Sequence, residues 1–182
     1  EQTNNARNSS FSLKSDTALF GGFPSGGGRF SDRQPSRYPT ILSGDIDGDN
    51  ILNDGNAYHV VSAIEVNSNS TLDGFIIADG NANAPYPNSV GGGLFCQSAT
   101  PTIINCSIQQ NLSVYAGGGI YNRQSTPTFT NCSILGNHTE NLGGGIYNIL
   151  SSPELINCVL QGNHSDKVGG GMYNVYSSSP TL

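Results

Sequence analysis

The chain has 182 residues and 19.0 kDa, only 11% of them charged, with a formal net charge of −6 and a pI near 4.7. The acidic balance excludes nucleic acid and anionic membrane surfaces as partners, and no apolar run approaches the ~20 residues of a membrane span, so no membrane insertion is expected. Its 24 glycines are roughly twice the share of an average chain and follow no collagen period.

Residues 1–10 are polar and are expected to be loosely held. The chain opens on Glu1 rather than Met, as it would after a processing site or as part of a longer sequence. Phe11 to Lys14 and Thr17 to Phe23 read as the first strands. Residues 24–38 form a Gly, Ser, Arg and Pro excursion carrying Arg29, Arg33 and Arg37. A solvated loop is expected there, with an acidic partner or a glycan as the alternative.

After a strand at Pro39 to Ser43 comes the sharpest chemical motif, Asp45-Ile46-Asp47-Gly48-Asp49-Asn50-Ile51-Leu52-Asn53-Asp54-Gly55-Asn56. Alternate carboxylates at Asp45, Asp47 and Asp49 on a glycine turn suit one hard cation, with a main-chain carbonyl and Asn53 or Asp54 completing an oxygen shell. The loop, residues 45–56, resembles the Asp-rich calcium loops of thrombospondin type-3-like repeats. It is further from an EF-hand loop, because its glycine is displaced and Asn56 stands where a glutamate is required. A structural calcium ion is one expectation, and an acidic surface loop of Asx turns is the other.

Tyr58 to Ala63 and Thr71 to Ala78 supply further strands, so residues 1–90 read as irregular coils. From Gly91 the text becomes periodic. Gly-Gly-Gly followed by Leu-Phe-Cys, Ile-Tyr-Asn, Ile-Tyr-Asn and Met-Tyr-Asn begins at residues 91, 117, 143 and 169, and Asn-Cys recurs at 105, 131 and 157. A unit of 26 residues with three glycines and a proline excludes helical repeats, and propeller blades need ~40 residues. What remains is one coil of a parallel β-helix, built of two or three short strands and stacked ~4.8 Å from the next. Residues 91–182 are thus regular coils continuous with the irregular ones, one domain in all.

Stacking sorts the residues into columns. Alternation points Cys106, Cys132 and Cys158 inward with Ile108, Ile134 and Leu160. Ile103, Phe129 and Leu155 break that alternation unless the chain bends at Asn105, Asn131 and Asn157, where buried asparagine ladders are expected. A second bend is expected at Asn111, Asn137 and Asn163, and Pro101, Pro127, Pro153 and Pro180 open strands. The glycine runs fit corners that need positive φ or exclude side chains; no Lys-Ser/Thr follows them, as a phosphate loop would require. Stacked cysteine rotamers run parallel, so buried thiols are expected rather than disulfides, and a column does not converge on zinc. Cys96 falls in the column of Asn122 and Asn148.

Leu72-Asp73-Gly74-Phe75-Ile76-Ile77, Gly-Gly-Gly-Ile-Tyr-Asn and Ser-Pro-x-Leu-x-Asn-Cys resemble the right-handed parallel β-helix repeats of bacterial secreted and cell-surface proteins, including polymorphic outer-membrane-protein-like and adhesin-like chains. Ala18-Leu19-Phe20-Gly21-Gly22-Phe23 and Thr40-Ile41-Leu42-Ser43-Gly44-Asp45 are similar to the entry coils of such proteins. The resemblance implies an extracellular or cell-surface location. Similar chains usually carry an N-terminal cap and many more coils, and both ends here look cut.

Phe95, Tyr121, Tyr147 and Tyr173 form an aromatic column facing away from Ile120, either exposed to sugar rings or covered by a loop. His138 and His164 also stack, with no third metal ligand evident in the sequence. Glycosylation sequons stand at Asn8, Asn69, Asn111, Asn137 and Asn163, and again at Asn105 and Asn131, where glycans on adjacent coils would crowd. Glu140, Glu154 and Asp166 form no paired column, and the Gly-His-Gly and Asn-Thr-Asp signatures of pectin hydrolases are absent. The expectation is a non-enzymatic extracellular rod that self-associates end to end as a filament or serves as an adhesin or stalk. The alternative is a carbohydrate-active lyase or hydrolase, or a module binding surface glycans.

Overall fold

The computed structural model describes residues 6–182; the reading of the polar start therefore lies outside the described residues at positions 1–5. The chain winds as a right-handed parallel β-helix. Phe11–Ser12, Val61–Ile64, Leu94–Gln97, Ile120–Arg123, Ile146–Ile149 and Met172–Val175 stack as a six-stranded first sheet. Ala18–Phe20, Thr71–Asp73, Thr102–Ile104, Thr128–Thr130 and Glu154–Ile156 make the second. Thr40–Ser43, Phe75–Ala78, Ser107–Gln109, Ser133–Leu135 and Val159–Gln161 make the third. The fourth side consists of the short strands Asn81–Ala82, Leu112–Ser113, His138–Thr139 and His164–Ser165. A coil is therefore four-sided, which corrects the expectation of two or three strands. The fourth side escapes a reading by apolar pattern because its strands are two residues long and polar.

Pairing is in register at the repeat length: Ile120 lies over Leu94 and under Ile146, Phe129 lies between Ile103 and Leu155, and Ile134 lies between Ile108 and Leu160. Those columns, with Cys106 and Cys132, form one continuous apolar core, each coil burying the face of the next.

Every corner of the regular coils is turned by one residue with positive φ. In the fourth coil these are Gln124, Asn131, Gly136 and Gly143, and in the fifth Leu150, Asn157, Gly162 and Gly169. Asparagine tolerates this conformation and glycine is free to adopt it, while Gln124 and Leu150 are held in it by their neighbours. In each glycine run the first residue supplies the positive φ, and in the first three runs the next two supply space. At Gly118 an added Cβ would stand 2.1 Å from the His138 carbonyl oxygen.

The excursion at 24–38 is solvent-exposed over most of its length, as expected, and is anchored at Arg33. The Arg33 guanidinium bonds the Asp73 carboxylate and also donates to the Asp73 and Gly21 carbonyls, and both side chains are about nine-tenths buried. For Arg33, the acidic group is Asp73 of the same chain.

Candidate functional site

The aspartate loop follows the strand Thr40–Ser43 and crosses the end of the first coil. Asp45, Asp47 and Asp49 bring one carboxylate oxygen each within 4.8 Å of one another. Asp45 accepts the amides of Gly48 and Asn50, and Asp49 accepts that of Ile51, so Asx turns fold the loop around its own carboxylates. Asp47 is pushed above the ordinary carboxylate range by desolvation, by its hydrogen bond with Asp45 and by the charge of Asp49. Asp45 lies below that range: desolvation opposes this, and the amides of Asn50, Gly48 and Asp49 with the Asp47 bond outweigh it.

Asn53 and Asp54 are not brought to this trio as oxygen donors. Asn53 turns its amide nitrogen to Asp49 Oδ2 at 2.7 Å while its oxygen accepts from Gly55, and Asp54 is bonded by Asn83. The converging oxygen set is Asp45, Asp47 and Asp49.

The aromatic column is continuous but covered, which corrects the reading of an exposed sugar-binding stripe. Phe95, Tyr121 and Tyr147 are buried and Tyr173 half-buried. Ring centroids lie 5.7 Å apart from Phe95 to Tyr121, 5.4 Å from Tyr121 to Tyr147 and 5.9 Å from Tyr147 to Tyr173, and His59 extends the stack below Phe95 at 4.8 Å. Val90, Ala116 and Leu142, themselves a bridged column, pack with these rings in a second apolar cluster. Burial raises the Tyr121 hydroxyl pKa well above its ordinary value.

The asparagines at the second corner carry a ladder, but an exposed one, which corrects the expectation of buried ladders there. Asn157 donates to Asn131, Asn131 to Asn105 at 3.3 Å, and Asn105 to Asp73 at 2.9 Å. A residue with positive φ at a convex corner points its side chain outward. The buried ladders are two others. Asn111 donates to Asn137 and Asn137 to Asn163, both at 3.0 Å, while their oxygens accept backbone amides of the coil before. Asn122 donates to Asn148 at 2.8 Å and Asn148 to Asn174 at 2.7 Å, inside the rod.

Asn111 and Asn137 are therefore wrong as glycan acceptors in the folded chain, since their amides are buried and bonded, and the Asn163 amide is committed to the Ile134 carbonyl. Asn8 and Asn69 are exposed.

All four cysteines are free thiols. Cys106, Cys132 and Cys158 stand in file, each donating to a carbonyl of the preceding coil, and burial pushes Cys106 up to about 11 and Cys132 to about 12. Such thiols are protonated and act as small apolar side chains.

Two features were missed in the sequence. A groove of ≈ 560 Å³ runs beneath the pinned loop, walled by Arg33, Pro35 and Ser36 and floored by Asn105, Ser107 and Asn131. The excursion that walls it was legible, but its docking on Asp73 was not. The second feature is Asp166, which joins His138 and His164 on the fourth side; the signal was the spacing His164-Ser165-Asp166, which puts both side chains on one face. Comparisons with protein-family models, with curated proteins and with solved structures give no match.

Proposed function

We propose that this protein is a non-enzymatic extracellular or cell-surface rod, assembling end to end as a filament or serving as a stalk or adhesin segment. One observation carries the reading: every sheet is parallel, and three of the four run in register from the first coil to the C-terminal coils. Met172–Val175 pairs on one side with Ile146–Ile149, and at the opposite end Phe11–Ser12 pairs with Val61–Ile64 and Thr40–Ser43 with Phe75–Ala78. The outer edges present backbone donors and acceptors of one spacing together with apolar side chains of the inward columns, Phe11 and Leu19 exposed at one end and Cys158, Leu160 and Met172 only partly buried at the other. A further coil, from the same polypeptide or from a second copy, completes them. Copies that add head to tail without closing a ring form a filament.

The Asp45, Asp47 and Asp49 oxygens suit a structural calcium ion, whose charge would offset the desolvation and the carboxylate repulsion that raise Asp47. Electron microscopy and sedimentation of the purified chain test the rod. Particles lengthening with concentration are expected, and short particles dispersed at every concentration would overturn end-to-end assembly.

The groove favours a second reading, a glycan-binding module. Amides and hydroxyls of Asn105, Ser107, Asn131 and Ser133 recur there at the coil spacing beside Arg33. Glycan-array binding without release of reducing ends or unsaturated sugars is the expected signature of that module, and such release would make it an enzyme.

A further inference from the structure

The repeat sets His138 directly under His164 in the fourth sheet. Asp166, two residues beyond His164 and so on the same face, turns its carboxylate to both. Its Oδ1 lies 2.9 Å from His138 Nε2 and 3.1 Å from His164 Nε2, and the imidazole centroids are 5.3 Å apart. The three ligand atoms fall within 4.8 Å of one another.

From this geometry we infer a surface site for a divalent transition ion of the zinc class, held by His138 Nε2, His164 Nε2 and an Asp166 carboxylate oxygen. The donor set selects the ion. Two neutral imidazoles and one carboxylate suit zinc, cobalt or nickel, whereas calcium and magnesium require oxygen shells. Around a tetrahedral zinc with bonds of ~2.0–2.1 Å, ligand atoms stand ~3.3 Å apart. The two carboxylate-to-imidazole separations already match that spacing, and modest side-chain rotation brings the imidazoles together. His164 and Asp166 are 69% and 50% exposed, so the rotation meets no packing.

On binding, the ion takes the place of the N–H hydrogens that point at Asp166, and each imidazole carries its proton on Nδ1. Three protein ligands leave the fourth position to water. The neighbouring cation, Lys167, is committed to Asn141 Oδ1, and Glu140 lies one coil before Asp166 in the same register, which corrects the expectation of no paired acidic column and adds negative potential along the same edge. Two coils are needed to build the site, so it reports correct stacking of the solenoid.

Cobalt absorption and zinc calorimetry on the whole chain test the site. One ion per chain is expected, with visible d–d bands and no near-ultraviolet thiolate charge-transfer band. Binding should weaken at least tenfold in each of His138→Gln, His164→Gln and Asp166→Asn, with unchanged far-ultraviolet circular dichroism. Wild-type binding no tighter than that of a His138→Gln/His164→Gln chain would overturn the site. So would binding indifferent to Asp166→Asn, or a thiolate band. Because both histidines and Asp166 are at least partly exposed, the variants should keep the fold; a variant that loses its dichroism is replaced by zinc titration of wild-type imidazole NMR signals, where shifts confined to His59 would also overturn the proposal.

Discussion

Arg33 sets its guanidinium on the Asp73 carboxylate, one terminal nitrogen 2.6 Å from Oδ1 and the other 2.9 Å from Oδ2. Asp73 also receives the amide of Asn105 and thereby ends the exposed ladder that runs back from Asn157. The pair is about nine-tenths buried, so solvent screens it little. Arg33→Ala leaves a desolvated carboxylate behind and should cost about 3 kcal/mol, as breaking a buried pair commonly does. Urea unfolding measures it; a cost below ~1 kcal/mol would mean that the 24–38 loop is held by something else.

The two kinds of asparagine ladder should differ in consequence. Asn137 is fully buried, and its oxygen accepts both the backbone amide and the side-chain amide of Asn111. Asn137→Ala strands the Asn111 backbone amide, while the Asn111 side-chain amide keeps the Ile77 and Gln109 carbonyls, so a loss of about 2 kcal/mol is expected. Asn131 is exposed with φ +53, and Asn131→Gly should change stability by less than about 0.5 kcal/mol. Equal losses for the two would contradict the assignment of inner and outer ladders.

Leu150 holds φ +51 at a corner while its side chain is half exposed. Leu150→Gly removes the crowding that an L side chain suffers there and adds backbone freedom to the unfolded chain. The first effect should prevail, raising stability by ~0.5–1 kcal/mol. The same substitution at Ile149, in the strand, should destabilise. A thermal scan of both decides.

How much of this was legible follows from what the period encodes. A fixed interval of 26 names vertical neighbours, so the cysteine file, the Ile108 and Ile134 column and the bend at Asn105 could be read directly. Which way a corner side chain points, and what lies across a corner, is not in the interval. That is why the Asn105 ladder was expected inside, and why Val90, Ala116 and Leu142 were not foreseen as cover for Tyr121. Alternation from Ile120 places Asn122 inward, and its amide finds its partner, Asn148, only once the coils stack. Cys96 occupies the next place down that column, and Asn122 Oδ1 is buried without a partner among the described residues.

The aspartate loop gives opposite signs with and without calcium. Asp47 binds its proton more tightly folded than unfolded, so its contribution is full below pH 3.8 and is lost as pH rises through the raised folded value. At neutral pH without calcium, Asp47→Asn should therefore raise the melting temperature. Excess calcium should raise that of the wild type by several degrees and that of Asp47→Asn less, since an ion that binds only the folded state stabilises it. No calcium response in either chain would leave the loop as Asx turns alone.

His59 closes the lower end of the aromatic stack, its ring 4.8 Å from that of Phe95 and its Nδ1 donating to the Gly91 carbonyl at 3.0 Å. Desolvation lowers its pKa from 6.5, outweighing the hydrogen bonds that favour the charged form. Above pH 6.5 the imidazole is neutral in both folded and unfolded chains and pH has no leverage through it. Below that, the unfolded chain takes up a proton that the folded chain refuses, so stability falls with acidification until the folded pKa is reached. One group supplies a slope of at most ~1.4 kcal/mol per pH unit. Between pH ~6.5 and ~5, above the carboxylate range, this slope should dominate the urea-unfolding profile. His59→Phe keeps an aromatic ring on Phe95 and removes the titration, so its profile should be flat over the same interval. A variant as acid-sensitive there as the wild type would show that burial of His59 does not carry the linkage.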